Sequence, residues 1–179
     1  MSTVALRLVG PRVVLRPMGR DDITETHLDW LRDPLVVRLS NQRFTTHTRE
    51  SCLRYLEGLD SGPHLYLSVR RAEDDLALGT LTAYRQLHHG TADIGILMGN
   101  RSTWGQGLGA EAFRLLADWL ASQHGMRKLT CGTLACNVGM LRAAAGAGFV
   151  EEGRRRAQEL VDGVAHDVVL LARFVHPGA

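Results

Sequence analysis

Three glycines at alternate positions, running straight into an amphipathic helical pattern, constrain this chain more than any other stretch. The segment reads Trp104-Gly105-Gln106-Gly107-Leu108-Gly109-Ala110-Glu111-Ala112. Glycine at 105, 107 and 109 lets the main chain turn through positive φ and keeps side chains away from whatever lies against it. Leu108, Ala112, Leu115, Leu116, Trp119 and Leu120 then recur at helical spacing, so the loop feeds main-chain amides into a first helical turn. Those amides have no intrahelical partner, and the helix dipole favours negative charge there, which together make a phosphate site. No Gly-Lys-Ser/Thr arrangement follows, which excludes a nucleoside-triphosphate loop. A ligand carrying a diphosphate is expected.

The rest of the chain sets the frame. Its 179 residues, 45% hydrophobic and 22% charged, suit a single domain over 1–179 with a substantial core. A formal net charge of +2 gives little purchase on nucleic acid or a membrane surface, and no stretch approaches a membrane span. Residues 1–17 lack the apolar core of a signal peptide. The three cysteines (Cys52, Cys131, Cys136) fit neither a disulfide framework nor a zinc site, so free thiols, no metal and a cytoplasmic location are expected.

Periodicity predicts a strand over Val13–Pro17, then a helix capped by Asp21 or Asp22 with Ile23, His27, Leu28 and Leu31 on one face. A second helix starts at Thr48 and turns Cys52, Leu53, Leu56 and Leu59 inward. Strands near 65–69, 76–84 and 92–98, joined by short polar turns, read as an antiparallel meander. The long helix after the glycine loop ends at His124-Gly125, and a strand over 126–134 leads to an alanine-rich helix capped by Asn137. A hairpin turning at Asp162-Gly163 closes the chain, and its last strand suits a core or a contact between two copies equally. The order β-α-α-β-β-β-α-β-α-β-β describes an α/β domain of the α+β type around one mixed sheet.

Gly105-x-Gly107-x-x-Ala110 also matches the dinucleotide fingerprint of NAD-binding folds, which wants a parallel βαβ unit and an acidic residue about twenty positions on. The following strand, residues 127–134, contains neither Asp nor Glu. With its flanks, the region instead resembles the GNAT superfamily of acyl-CoA-dependent N-acyltransferases, in particular the branch with ribosomal-protein N-terminal and amino-sugar acetyltransferases. Three motifs carry the likeness: Ala92-Asp93-Ile94-Gly95-Ile96-Leu97-Met98-Gly99, the glycine loop, and Asn137-x-x-x-x-Arg142 ending in Gly146-Ala147-Gly148-Phe149.

The resemblance implies a mixed, mostly antiparallel sheet of about seven strands with helices on both faces, splayed between the fourth and fifth strands. It implies acetyl-CoA as co-substrate: its pantetheine arm on main-chain groups of Ile96, Leu97 and Met98, its diphosphate on Trp104, Gly105, Gln106, Gly107, Leu108, Gly109 and Ala110. Asn137 would touch the arm, and Arg142 or Arg101 the phosphates. Asp93 is the expected general base, with His88 and His89 nearby as possible relays, and an N–H of Leu97 or Met98 the oxyanion donor. Family positions that often protonate the leaving thiolate hold Met140 and Ala144, which cannot; Cys136 and Tyr84 are the substitutes at hand. Trp30, Asn41 and Arg43 are the expected acceptor-binding residues, within walls formed by 30–44 and 154–167. The implied reaction is acetyl transfer to a primary amine, either a peptide N-terminus or a small amine such as an amino sugar. The alternative is an acyl-CoA-binding sensor or scaffold without turnover. A monomer or homodimer, with no nucleic-acid or membrane partner, is expected.

Overall fold

Alternating apolar residues and polar turns assemble one eight-stranded sheet in the computed structural model, which describes residues 6–123 and 125–175. The strands are β1 (Leu8–Val9), β2 (Val13–Pro17), β3 (Leu65–Arg71), β4 (Ala77–Gln86), β5 (Thr91–Met98), β6 (Lys128–Leu134), β7 (Val150–Val161) and β8 (Val164–Phe174). Their spatial order is β1-β2-β3-β4-β5-β6-β8-β7, antiparallel throughout except between β5 and β6. The helices are α1 (Glu25–Arg32), α2 (Pro34–Val37), α3 (Arg49–Asp60), α4 (Leu108–Ser122) and α5 (Val138–Gly146). The mixed, mostly antiparallel sheet is as expected. The strand beyond the expected seven is β1, a two-residue edge too short to leave a periodic signal.

Alternation along β3 divides the interior. Leu65, Leu67 and Val69 face the larger core, where α4 presents Leu108, Ala112, Phe113, Leu116 and Leu120. Tyr66 faces the other way, into the smaller cluster of Met18, Ile23, Leu28, Cys52 and Leu56 under α1 and α3. Phe113, absent from the expected helix face, is fully buried with its ring 5.3 Å from that of Phe149. Burying such a ring contributes about 2–3 kcal/mol.

Two helix boundaries correct the sequence reading. Thr24, not Asp21 or Asp22, caps α1, accepting from the His27 amide. Asp22 instead belongs to a separate turn, where it accepts from Arg16 and the Gly19 amide at 2.7 and 2.8 Å. The Asp33-Pro34 break begins a new short helix, α2, with Asp33 capping it and Pro34 in its first turn. Helix α4 stops at Ser122, and the expected stop at His124 lies outside the described residues.

Candidate active site

The parallel pair β5–β6 holds for only three residue pairs: Thr91 with Lys128, Ala92 with Leu129, Asp93 with Thr130. Beyond these, β5 stays on β4 as far as Met98, and β6 stays on β8 as far as Leu134. The two strands therefore part into a wedge whose inner edges lack a strand partner among the described residues. Such an edge is a template for any extended chain carrying amides. Ile96, Leu97 and Met98 lie on the stretch of β5 that borders the wedge. Gly79 lets β4 grip this end of β5 closely, since a Cβ there would fall 2.2 Å from the Leu97 carbonyl oxygen. The Trp104 indole N–H donates to the Met98 carbonyl at 2.9 Å, which ties the start of the glycine loop to the end of β5.

The glycine loop closes the same end of the wedge. Asn100 caps a single turn over Arg101–Thr103, and the Trp104 amide donates to the Arg101 carbonyl. Gly105 and Gly107 then take φ of 78° and 77°, and Gly107 caps α4, where the Glu111 amide makes the first intrahelical bond. Between them, the amides of residues 105–110 donate to nothing among the described residues. Gly109 sits against Met98, a Cβ there lying 2.9 Å from Met98 Cγ, and Leu108 is buried. Gln106 turns its side chain back to the Ser102 carbonyl. At the end of β6, Asn137 caps α5 by accepting from the Met140 amide at 3.2 Å. Because β5 and β6 are parallel, both helix N-termini open at one end of the wedge.

The two arginines expected near phosphate differ. Arg101 is paired with Asp33 at 3.1 Å, whereas Arg142 is exposed on α5 with no ion pair among the described residues. An extended amide-bearing arm in the wedge, ending in a diphosphate on the loop amides, fits these groups.

Asp93 occupies the last paired position, where the wedge begins. Thr130 Oγ1 donates to Asp93 Oδ1 at 2.7 Å. Desolvation holds the carboxyl above the usual carboxylate range, and the Thr130 bond opposes part of that rise. Two residues on, Gly95 has open space where a Cβ would stand, so the strand face beside Asp93 is uncovered. Tyr84 lies opposite Asp93 on β4, its hydroxyl 2.5 Å from that of Tyr55. Burial, the Tyr55 contact and the Asp93 charge all keep the Tyr84 phenol protonated. Burial and Asp93 push the Cys131 thiol up to about 12. His88 and His89 are exposed in the turn before β5, at the opposite end from the glycine loop. Ala144 is fully buried and Met140 half-buried, while Cys136 is exposed at the end of β6.

A cavity of about 540 Å³ lies between α1, α2, the turn over Asn41–Phe44 and the β7–β8 turn. Leu31, Val37, Arg43, His47, Val161 and Asp162 are among its walls. Arg43 donates to the carbonyls of Ser40 and Leu160 at 2.7 and 3.0 Å and lies 4.0 Å from Glu159, so its charge is held in the wall. Asn41 does not line this cavity; its amide reaches Glu159 at 3.4 Å and ties the turn to β7. Trp30 packs on Gly99, where a Cβ would fall 2.0 Å from the indole, and meets His27 edge-on at 6.0 Å. His27 is buried with Nδ1 unpartnered among the described residues, and desolvation lowers its pKa to about 4. Arg154 is spent on Glu151 and Asp167, which leaves less of the arginine run for an acidic ligand than the sequence suggested. The residues that sequence reasoning missed are Thr130, Tyr55 and the pair Arg12–Glu111, each brought in by an element distant in the chain.

This geometry coincides with a family match. The family model described as the acetyltransferase (GNAT) domain covers residues 12–150, and the chain belongs to that family. A probable N-acetyltransferase of Bacillus subtilis, YjcK, is 25% identical over 173 residues, spanning 92% of this chain and 95% of its own. Among solved structures, the ribosomal L7/L12 α-N-protein acetyltransferase RimL in complex with coenzyme A superposes with a TM-score of 0.81 at 18% identity, covering 95% of this chain and 98% of that one. A spermidine N-acetyltransferase from Vibrio cholerae in complex with CoA and spermine gives 0.79 at 16% identity, covering 93% and 97%. The protein is thus an acetyl-CoA-dependent acetyltransferase by class, built on the GNAT fold. No helix among the described residues is long and apolar enough to cross a membrane, and no group of side chains suited to a metal ion occurs among them.

Proposed function

We propose that this enzyme transfers the acetyl group of acetyl-CoA directly to a primary amine, with Asp93 as general base. The observation that carries the reading is the coincidence of three things at one end of β5: a wedge opening at Asp93, an unpaired strand edge, and unpartnered amides at residues 105–110. The edge and the loop amides hold the arm and the diphosphate, which places the thioester within the wedge. The amine enters over the uncovered face at Gly95. Its nitrogen attacks the thioester carbonyl, Asp93 accepts its proton, and a main-chain N–H of Leu97 or Met98 stabilises the oxyanion. The C–S bond then breaks and the thiolate takes a proton from water, since Met140 and Ala144 offer none. A thiolate with a conjugate pKa of about 8.5 leaves without a dedicated acid. Arg142 and Asn137 flank the arm from α5, and Trp30, Asn41 and Arg43 shape the acceptor side.

The acceptor is the amino end of a peptide or a compact amine. The cavity falls within the size range of small-molecule sites, roughly 300–1,000 Å³. RimL and the spermidine enzyme, by their names, act on a protein and on a polyamine. Calorimetric titration with acetyl-CoA, with NADH as control, followed by transfer to a panel of peptide and small-molecule amines, tests the proposal. Binding with transfer supports it. Binding without transfer to any amine identifies a sensor, and failure to bind acetyl-CoA removes the ligand reading of the wedge.

A further inference from the structure

Glu111, in the first turns of α4, has a side chain only 10% exposed and accepts from three donors where the chain enters β2. The Arg12 and Val13 amides reach Oε1 at 2.7 and 3.2 Å, and Arg12 Nε reaches Oε2 at 2.8 Å. So oriented, Arg12 donates from Nη1 to the Gln106 carbonyl at 2.9 Å. That carbonyl belongs to the peptide joining Gln106 to Gly107. In a planar trans peptide the carbonyl and the following N–H point in opposite directions. Holding the Gln106 oxygen toward Arg12 therefore turns the Gly107 N–H to the far side of the plane, among the unpartnered amides of the loop. Glycines at 105 and 107 leave this peptide little preference of its own, so an outside contact must set it. The other terminal nitrogen, Nη2, lies 3.5 Å from where a Cβ on Gly107 would stand, which keeps a positive charge directly beside the loop.

We propose that Arg12 is a positioning residue for the diphosphate of acetyl-CoA, fixing the Gly107 amide and adding its charge beneath the cradle, with Glu111 holding Arg12 in place. This rests on the reading that the diphosphate lies on residues 105–110. Arg12 is 54% exposed, and ion pairs of that kind add little to stability. Its effect belongs in ligand affinity.

The test compares calorimetric affinities of wild type, Arg12→Ala, Arg12→Lys and Glu111→Gln for acetyl-CoA and for S-acetylpantetheine, which lacks the diphosphate. Arg12→Ala is expected to weaken acetyl-CoA by about tenfold or more while leaving S-acetylpantetheine within about twofold, because charge-assisted bonds act only where the charged group is present. Arg12→Lys recovers part of the loss, and Glu111→Gln falls between. Equal weakening of both ligands, or of neither, overturns the assignment. Wild type binding acetyl-CoA no better than S-acetylpantetheine would overturn the diphosphate site itself, a result visible without any variant.

Discussion

The proposed coenzyme and acceptor regions are made of different material. On the coenzyme side, the groups offered are almost all main chain: amides of residues 105–110, the free edge of β5 and the first turns of α4 and α5. On the acceptor side, the walls are side chains from segments more than a hundred residues apart in sequence, Arg38 paired with Asp162 at 2.7 Å and Arg43 resting on the Leu160 carbonyl. Main-chain groups recognise what every acyl-CoA shares, so the first surface has little freedom to vary. Side chains can be exchanged without disturbing the sheet, so the second is where an enzyme of this kind sets its amine. Asp93 stands at the boundary, on the strand that forms the coenzyme edge but with its carboxylate toward the uncovered face.

The largest expected effect is therefore at that boundary. Asp93→Asn removes the proposed proton acceptor and is expected to lower kcat by about a hundredfold to ten-thousandfold, the usual span for a general base, with acetyl-CoA affinity unchanged. If Asp93 is the base, wild-type activity is expected to rise with pH as it ionises, and desolvation moves that limb upward from the ordinary carboxylate range. The Thr130 hydroxyl favours the ionised form, so Thr130→Val shifts the limb to still higher pH. A pH–rate profile of Thr130→Val identical to that of wild type would remove Asp93 from the proton path.

On the coenzyme side, Gly107→Val puts a β-branched residue at φ 77° and a side chain against the cradle. Left-handed strain of about 1–3 kcal/mol, relieved only by reshaping the loop, is expected to weaken acetyl-CoA binding roughly tenfold to a hundredfold. Acceptor KM, measured at saturating acetyl-CoA, stays near that of wild type. If Gly107→Val changed acceptor KM as strongly, the division between the two sides would be wrong.

The same division explains what the sequence made legible. A cradle built from main chain needs glycines at set intervals before a helix, and that pattern is written in one contiguous stretch, as is the alternation of β5 that puts Asp93 opposite Ile94. The parting of β5 and β6 entered only through the family resemblance; periodicity registers the strands but not where their pairing stops. Contacts between distant segments leave no local trace. Nothing in the run Gly10-Pro11-Arg12-Val13 announces a bond to Gln106, and Thr130 looks like any strand threonine until its hydroxyl is found on Asp93. Short elements failed for a related reason. A two-residue β1 and a four-residue α2 hold too few positions for a period, and Thr24 displaced Asp21 and Asp22 as a cap because Asp22 was bound by Arg16 instead.

The smallest effect is expected where the acceptor wall is most replaceable. Arg43 spends two donors on carbonyls, lies 4.0 Å from Glu159 and stacks on Phe44 with its guanidinium carbon 4.3 Å from the ring centroid. Arg43→Ala loosens the turn over Asn41–Phe44 from β7 and alters one wall of the cavity. Acceptor KM is expected to rise by about threefold to tenfold, as for the loss of one or two modest contacts, while kcat and acetyl-CoA affinity hold within about twofold. Arg43→Lys retains the charge but cannot span two carbonyls in one plane, which separates tethering from electrostatics. Recovery by lysine for an acidic amine alone would mean that the wall reads charge. Recovery for no amine would mean that Arg43 serves by holding the turn in place, and the specificity of this side would then lie in the shape of the cavity.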